Sequence, residues 1–237
     1  MNLEINVSPN DKHLSEIKSW LIEEEKKTGD EFFCNWNSIT YAYDRKELTI
    51  IIKDNLVIGF LAYAITDFVV HIEITEIHPH YRKKGYGKIL VNESLKGLKE
   101  KGNLVAELYC QPTSAEPIWE KLGFLRFSIR QNDSKINMYK LLIETLNVVE
   151  FNENDEVIEL WGERFHITGN IETKWTWKVK GHKLDNPIIL PVFYDWEICW
   201  RKREKIYYEG KVKYLYGPEI LYGNFMIIRK LPKKQIG

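Results

Sequence analysis

The sequence predicts an α/β fold over about residues 1–144 and a smaller, mostly β domain over about residues 145–237. In the first part, short runs rich in β-branched and aromatic residues alternate with longer segments that have the apolar spacing of amphipathic helices. After Glu144, turn dipeptides separate runs with the two-residue alternation of strands. These two patterns indicate that strands and helices pack together in the first part, whereas strands dominate the second.

Local signals place the elements of the first part in order. A strand at 3–7 and cap residues at 8–11 precede a helix whose charged run at 23–27 faces solvent and whose apolar stripe is Leu14, Ile17, Trp20 and Leu21. Residues 30–46 are aromatic without a clear period, so we expect an irregular segment. A hairpin at Asp54 and Asn55 joins the next two strands. The later runs predict strands at 48–52, 56–64 and 69–78, a helix at 88–101, a strand at 104–110, a short helix at 115–122 and strands at 124–129 and 136–142.

The composition excludes several classes of protein. Lys and Arg together number 34, and so do Asp and Glu, so no overall charge attracts the chain to nucleic acid or to a membrane surface. The three cysteines, Cys34, Cys110 and Cys199, are too widely spaced for a disulfide framework. The first residues lack the pattern of a signal peptide, and the longest apolar stretch, at 56–65, is too short to span a bilayer. We therefore expect a cytoplasmic protein with no membrane partner.

An anion-binding loop is predicted at residues 82–88, RKKGYGK. Gly85 and Gly87 let the backbone turn sharply, and the apolar spacing after them predicts a helix that begins at these glycines. The first amides of such a helix lack intrahelical acceptors and lie at the positive end of its dipole, so they suit a phosphate or pyrophosphate. The same preference follows from the basic residues Arg82, Lys83, Lys84 and Lys88.

Two common phosphate loops do not fit these residues. A Walker loop, GxxxxGK followed by Ser or Thr, needs a glycine where Arg82 stands and a hydroxyl where Ile89 stands. A dinucleotide fingerprint, GxGxxG, needs its third glycine where Leu90 stands. The pattern that remains is RxxGxG, directly after a predicted strand.

This arrangement resembles the GNAT superfamily of acetyl-CoA-dependent N-acetyltransferases over about residues 1–142. The resemblance is carried by RxxGxG at 82–87, IHP at 77–79, Ala115 and WEKLGF at 119–124. It implies a mixed sheet with helices on both faces, in which the strand that ends at Ile77 splays away from its neighbour. It also implies that unpaired backbone groups of this strand bind the pantetheine arm of CoA. The resemblance does not extend to the C-terminal part.

The resemblance further implies direct transfer of an acetyl group from acetyl-CoA to a primary amine, carried by a small molecule, a protein or a peptide. Ile77 would lie beside the thioester, and Arg82 would buttress the loop. The pyrophosphate of CoA would be held by the main-chain amides of Lys83, Lys84, Gly85, Tyr86, Gly87 and Lys88. Because these contacts are made by the main chain, the side chains are free to vary, whereas neither glycine can vary freely without straining the loop.

Acyl transfer to an amine needs a neutral nitrogen, so a base must take a proton from an ammonium with a pKa of roughly 10.4. Glu73 and Glu76 are the candidates, and they fall on opposite faces of an ideal strand, so only one should face the cleft. Glu73 is preferred because it matches the Glu of an ExxxV pattern that several amine-acetylating members place before this loop. The alternative is that either Glu is a solvated or salt-bridged strand residue.

Two departures from the family pattern affect the chemistry. Trp119 stands where most members have a Tyr that protonates the leaving thiolate, and Pro112 stands where an Asn usually contacts the cofactor. A thiol with a pKa of roughly 8.5 can leave unassisted, so transfer can persist. The alternative is a sensor or interaction protein that binds CoA without efficient turnover. His78 and His80 lack a carboxylate or Cys partner, so no metal site is expected.

In the C-terminal part, the runs VIELW, RFHIT and IETKWTWKV predict a three-stranded meander. Two further hairpins are predicted at 209–210 and 223–224, and a turn is predicted at 185–186. The run between Pro187 and Pro191 can be at most an edge strand.

Aromatic residues recur at period two in this part: Trp175 and Trp177 in one run, and Tyr194, Trp196 and Trp200 in another. We favour a small β core. Two alternatives stay open. The rings, interleaved with Lys174, Lys178, Lys180 and Lys183, would stack single-stranded nucleic acid or sugars, or the aromatic face would form a homodimer. We expect the domain to select the acceptor or to mediate oligomerisation.

Overall fold

The structure is a computed structural model that describes residues 2–29, 31–132, 135–162, 175–181, 183–192, 195–215, 220–221 and 223–232. The chain divides into two units, Met1–Ile143 and Glu144–Gly237, which we call the N-terminal and C-terminal units. None of the helices in the described ranges is long and apolar enough to cross a membrane.

The N-terminal unit is a sheet with helices packed on it. Its helices are α1 (Asp11–Thr28), α2 (Trp36–Asp44), α3 (Tyr86–Glu100) and α4 (Glu116–Lys121). Its strands are β1 (Leu3–Asn6), β2 (Leu48–Lys53), β3 (Leu56–Thr66), β4 (Val69–Ile77), β5 (Val105–Cys110), β6 (Leu125–Asn132) and β7 (Lys135–Leu141). The strand order is β1-β2-β3-β4-β5-β7-β6, with β4 and β5 parallel and the other neighbours antiparallel. The predicted mixed α/β fold is therefore confirmed.

Local signals explain where several elements begin and end. Asn10 caps α1 by accepting a hydrogen bond from the His13 amide at 3.1 Å, and Gly29 ends this helix with a left-handed φ of 70°. Asp54 and Asn55 have φ values of 49° and 69°, as a two-residue hairpin turn between β2 and β3 requires. The predicted cap and hairpin are both confirmed.

The prediction of an irregular segment at 30–46 is wrong, because α2 occupies its second half. This helix buries Ile39 and Ala42, which lie one turn apart on the same face. Trp36 and Tyr43 pack against the same core, whereas Tyr41 is exposed. Apolar side chains on several faces obscure the helical period in so short a segment.

One position of α1 also departs from the prediction. The run at 23–27 is predicted on the solvent side, yet Glu24 is only 7% exposed. The spacing explains this result, since Glu24 follows Ile17 by two turns and Trp20 by one, and so lies on the buried stripe. The charge of the side chain obscured a position that the helical period assigns to the core.

Two hydrophobic clusters cover the sheet. One joins α1 and α2 to the sheet through residues that include Ile17, Leu21, Ile39 and Phe60. The other joins α3 to the sheet through residues that include Leu61, Ile72, Leu90 and Leu95. Because Phe60 and Leu61 are neighbours on β3 and divide between the clusters, the clusters lie on opposite faces of the sheet.

Within its described residues, the C-terminal unit is built mostly from strands, as predicted, with one 3₁₀ helix at Val212–Tyr214. The strands are β8 (Glu156–Trp161), β9 (Trp175–Val179), β10 (Lys183–Pro191), β11 (Glu197–Lys202), β12 (Lys205–Lys211), β13 (Ile220–Leu221) and β14 (Phe225–Lys230). One sheet has the order β12-β11-β8-β9 and the other has the order β10-β14-β13. The position of β10 at an edge agrees with the prediction from Pro187 and Pro191.

Three predicted features of this unit are wrong, and one is confirmed. β8 pairs directly with β9, so no strand lies between them as in the predicted meander, and the run RFHIT lies outside the described residues. Residues 209–210 lie within β12, because the turn between β11 and β12 forms at Arg203 with a φ of 51°. Residues 185–186 lie within β10, where the register shifts. The hairpin at 223–224 joins β13 to β14 as predicted.

The aromatic residues of this unit form its core. Trp177, Trp196 and Trp200 are only 2%, 3% and 2% exposed, and Trp175 stacks on Trp196 with ring centroids 5.0 Å apart. The favoured interpretation is confirmed for these residues, because buried rings leave no face on which a nucleic-acid base can stack. Tyr194 and Lys174 lie outside the described residues.

Candidate active site

The strands β4 and β5 separate along their length. Their pairing ends at Ile72 and Leu108, after which β4 continues to Ile77 beside β3, and β5 continues to Cys110 beside β7. Residues 73–77 therefore present backbone groups toward a gap in the sheet, which is the predicted splay. An extended ligand can hydrogen-bond to these groups as an added strand does.

An ion pair lies just before the strands part. His71 Nδ1 is 2.6 Å from Glu107 Oε1, and these two residues are direct partners across β4 and β5. The hydrogen bond to Glu107 raises the pKa of His71, although burial of the imidazole acts in the opposite direction. When the imidazole is protonated, this pair reinforces the last paired part of the two strands.

The register of β4 against β3 shifts at Glu73. Neighbouring residues of β3 pair with Ile72 and Ile74, so Glu73 is the extra residue of a β-bulge. The alternation that predicts opposite faces for Glu73 and Glu76 is therefore interrupted between them. Glu73 is exposed, whereas the Glu76 side chain is only 21% exposed.

Gly59 shapes the end of β4, and sequence reasoning missed it. Gly59 pairs with Ile77 across β3 and β4. A Cβ atom at this position would lie 2.4 Å from the Ile77 Cδ1 atom and 2.8 Å from the Glu76 carbonyl oxygen, which are distances that real Cβ contacts do not reach. The available signal was a glycine inside an apolar strand, which often marks a close approach of backbones.

The loop at 82–88 forms the predicted turn into α3. Lys83 and Gly85 have φ values of 60° and 84°, and Gly85 is the N-cap residue of α3 without a side-chain cap. Position 85 therefore favours glycine, as predicted. The corresponding prediction for Gly87 is wrong, because this residue lies in α3 and an added Cβ would contact Ile77 at an ordinary 3.6 Å.

Exposed cations surround the start of α3: Lys83, Lys84 and Lys88. Lys84 Nζ donates a hydrogen bond to the His80 carbonyl oxygen at 2.8 Å. Sequence reasoning missed a further cation, Lys53 of β2, whose Nζ lies 5.4 Å from the ring centroid of Tyr86. A hydrogen bond to Tyr86 raises the pKa of Lys53. No local signal predicts this contact, because the two residues lie far apart in the sequence.

Arg82 connects the loop to two other elements. Its Nε donates to the Ile77 carbonyl oxygen at 2.8 Å, and its Nη2 lies 3.0 Å from Glu76 Oε1. The same Nη2 lies 2.6 Å from Glu24 Oε1. The guanidinium thus holds the loop against the end of β4 and against α1. Sequence reasoning placed Glu24 in solvent and missed this contact.

The two candidate bases have different environments. Burial raises the pKa of Glu76, and the nearby charge of Glu24 acts in the same direction. A hydrogen bond from the Ile77 amide, at 2.9 Å, and the charge of Arg82 oppose this increase. A half-buried carboxyl with a raised pKa beside a gap in a sheet is suited to accept a proton near neutral pH.

The two departures from the family pattern lie near the same gap. Trp119 is partly buried and packs edge-on against Phe124, with ring centroids 5.1 Å apart, so it has a packing role. The Pro112 carbonyl oxygen accepts a hydrogen bond from Cys110 Sγ at 3.6 Å. Burial raises the pKa of the Cys110 thiol, so this residue stays protonated at neutral pH.

The model of the Acetyltransferase (GNAT) family matches residues 12–124. No curated protein matches the chain. Among solved structures, an aminoglycoside 6'-N-acetyltransferase complexed with coenzyme A is 14% identical and aligns with a TM-score of 0.50, covering 62% of this chain and 100% of its own. Ard1 from Thermoplasma volcanium is 15% identical, with a TM-score of 0.50 and coverages of 61% and 100%. PaiA N-acetyltransferase from Thermoplasma acidophilum, in complex with coenzyme A, is 21% identical, with a TM-score of 0.48 and coverages of 60% and 99%.

At these identities, the two solved structures with a TM-score of 0.50 show a common fold and no more. The family match adds a sequence pattern that spans α1 to the end of α4, and so includes β4, its bulge and the loop before α3. The C-terminal unit lies outside the matched residues. Residues 12–124, which lie within the N-terminal unit, therefore match the GNAT acetyltransferase family.

Proposed function

We propose that this protein is an N-acetyltransferase that moves an acetyl group from acetyl-CoA directly to a primary amine. The observation that carries the proposal is the meeting of two features at one end of β4. The backbone at 73–76, which has no strand partner on the side of β5, offers hydrogen bonds to a pantetheine arm, and the uncapped start of α3 offers amides to a pyrophosphate. The coenzyme A bound to the similar aminoglycoside 6'-N-acetyltransferase supports this choice of ligand.

In this proposal, the cofactor is held mainly by the main chain. The amides at 83–88 bind the pyrophosphate, with Lys83, Lys84 and Lys88 nearby in solvent. Ile77 lies beside the thioester, and Arg82 fixes the loop through its Nε and Nη2 atoms, which bind Ile77, Glu76 and Glu24. No metal takes part in this scheme.

We assign the role of base to Glu76 rather than to Glu73. Glu76 takes a proton from the acceptor ammonium, directly or through one water, and the neutral nitrogen attacks the thioester carbonyl carbon. The carbon–sulfur bond then breaks, and the CoA thiolate leaves with the electron pair. As the amide forms, the nitrogen gives up its second proton to water. Trp119 has no acidic proton to offer, so the thiolate, whose thiol has a pKa of roughly 8.5, is protonated from water. The preference for Glu76 rests on its burial and raised pKa.

The C-terminal unit is proposed to select the amine acceptor or to mediate oligomerisation. Its buried tryptophans favour a structural core over a nucleic-acid surface. The acceptor is an amine on a small molecule, a protein or a peptide. The second candidate function is a CoA-binding protein without efficient turnover, which the absence of a Tyr at Trp119 favours.

Release of free thiol from acetyl-CoA, measured with a panel of amines and peptides, tests the proposal. Glu76→Gln should lower kcat/KM by about 10²-fold or more, whereas the matched variant Glu73→Gln should stay close to the unmodified protein. If CoA raises the Tm but no acceptor yields thiol above the Glu76→Gln background, the protein binds CoA without turnover. If Glu73→Gln is the inactive variant, the base is Glu73.

A further inference from the structure

Glu24 is a buried carboxylate with an incomplete set of partners. Its Oε1 lies 2.6 Å from Arg82 Nη2, whereas its Oε2 is buried and has no hydrogen-bond partner within the described residues. One turn earlier on α1, the buried Nε1 of Trp20 also lacks a partner there. Keeping a charged oxygen buried without a partner costs free energy, and an apolar side chain would fill the position at less cost. Packing alone therefore does not account for a carboxylate at this position.

Glu24 and Glu76 share one nitrogen atom of Arg82. Arg82 Nη2 lies 2.6 Å from Glu24 and 3.0 Å from Glu76, so the contact with the buried carboxylate is the shorter one. The Nε of the same guanidinium is committed to the Ile77 carbonyl oxygen. Because a single cation serves two anions, the charge of Glu76 is only partly neutralised.

We propose that Glu24 is a positioning residue of the acetyl-transfer site. It anchors Arg82 to α1 and draws the guanidinium away from Glu76, so that the Glu76 carboxylate stays available to take a proton from the acceptor amine. In that step an N–H bond of the ammonium breaks, its electron pair stays on nitrogen, and the proton joins a Glu76 oxygen. The inference rests on the proposed function, in which Glu76 is the base. Since the Glu24 side chain is buried, it acts through Arg82 and touches no substrate.

The charges around Glu76 come from three elements. Glu24 faces it from α1, and Arg82 faces it from the loop before α3. His78, just after β4, interacts electrostatically with Glu24, Arg82 and the exposed Glu23. Burial and the nearby His80 lower the pKa of His78, so this imidazole is neutral at the pH of an acetyltransferase assay. Besides burial, the neighbouring Glu24 and Arg82 side chains thus affect the basicity of Glu76.

The pH dependence of kcat/KM tests this proposal. In Glu24→Gln, Glu76 is the one of these two carboxylates left to pair with Arg82, so the pKa of Glu76 should fall. The acid limb of the profile should then move to lower pH, and the plateau of kcat/KM should fall by about tenfold because Glu76 is a weaker base. A ¹³C NMR titration of the Glu76 carboxyl group should show the same decrease in its pKa without any substrate. Glu24→Gln should fold with an equal or higher Tm, since it removes a buried charge.

The matched control is Glu23→Gln, because Glu23 is the preceding residue of α1, is exposed and pairs with Lys27. It should keep the acid limb and the plateau of the unmodified protein. An acid limb and an NMR titration in Glu24→Gln that match the unmodified protein would overturn the proposal. If Glu76→Gln keeps full activity, Glu76 is not the base, and both the base assignment and this inference fail. If Glu76→Gln is inactive while Glu24→Gln is unchanged, this inference alone fails.

Discussion

The two units differ in how completely their buried polar groups are hydrogen-bonded. In the C-terminal unit, buried carboxylates bind partners on a neighbouring strand: Glu159 accepts two hydrogen bonds from Arg201, at 2.5 and 2.9 Å, and Glu156 accepts one from Trp200 Nε1 at 3.0 Å. In the described part of the chain, the buried side-chain atoms without a partner all belong to the N-terminal unit. They are Trp20 Nε1, Glu24 Oε2, Thr75 Oγ1 and Ser94 Oγ.

We interpret this difference as one between structural and functional polar groups. The carboxylates of the C-terminal unit have the complete pairing that a stable core requires. In the N-terminal unit, Thr75 and the bulge at Glu73 lie in β4, and Glu24 reaches the end of the same strand through Arg82. Apart from Ser94 of α3, the residues with unpaired atoms lie on β4 or are connected to its end through His78 and Arg82. Such incomplete pairing is typical of a site where function outweighs stability.

The largest expected contrast concerns the two buried carboxylates. Glu159→Gln should lower the free energy of unfolding by about 3 kcal/mol, because it leaves the largely buried guanidinium of Arg201 without its counter-ion. Glu24→Gln should leave the free energy of unfolding unchanged or raise it, since Arg82 still pairs with Glu76 and still contacts solvent. Urea unfolding of both variants measures the difference. Equal destabilisation would show that Glu24 is as structural as Glu159.

A second contrast uses two glycines with ordinary φ values. Gly59→Ala should lower the free energy of unfolding by about 2 kcal/mol, because the added Cβ atom meets the Glu76 carbonyl oxygen and Ile77. It should also weaken CoA binding, since Ile77 must move. Gly223→Ala is the control in the C-terminal unit, where an added Cβ atom meets nothing within 4 Å. Thermal unfolding with and without CoA compares them, and a neutral Gly59→Ala would argue against the close approach of β3 and β4.

A third contrast concerns two buried tryptophans. Trp200→Phe and Trp20→Phe remove similar volumes, but only Trp200 loses an indole hydrogen bond, the one that it donates to Glu156. Trp200→Phe should therefore lower the free energy of unfolding, measured with urea, by about 1 kcal/mol more than Trp20→Phe does. The reverse order would indicate that Trp20 Nε1 has a partner in solution.

The smallest expected effect is a pH dependence at the gap in the sheet. The pKa of His71 is higher in the folded chain, so its pair with Glu107 stabilises the fold below the unfolded pKa of roughly 6.5 and is lost as pH rises through the folded value. His71→Gln should lower the free energy of unfolding by about 0.5 kcal/mol at pH 6 and leave it unchanged at pH 8.5. The Arg201–Glu159 pair should show no such change. Urea unfolding at the two pH values measures the loss, and a pH-independent loss would contradict the account.

Local signals in the sequence were sufficient for much of the N-terminal unit. The Asn10 cap, the turn at Asp54 and the start of α3 at Gly85 follow from residues close together in the sequence. The bulge at Glu73 was not predictable, because one added residue leaves the apolar alternation of β4 looking regular. Glu24 was missed because its charge was given more weight than its place on the helical stripe.

The C-terminal unit was harder to predict because its pairing is less local. β8 has β9 on one side and β11 on the other, and no turn dipeptide specifies the second pairing. The dipeptide at 209–210 has the composition of a turn but lies within β12, where pairing with β11 overrides the local preference. Within the site, Lys53 and Gly59 depend on contacts between strands, which a single sequence does not reveal.

Amide hydrogen exchange of the full chain, measured by mass spectrometry with and without CoA, tests the central claim most directly. If the gap beside β4 and the start of α3 form the CoA site, CoA should slow exchange at residues 73–77 and 83–88. Exchange at β8 and β11 should stay unchanged, because their polar groups are already paired within the unit. Protection confined to the C-terminal unit, or no protection in either N-terminal segment, would contradict the account.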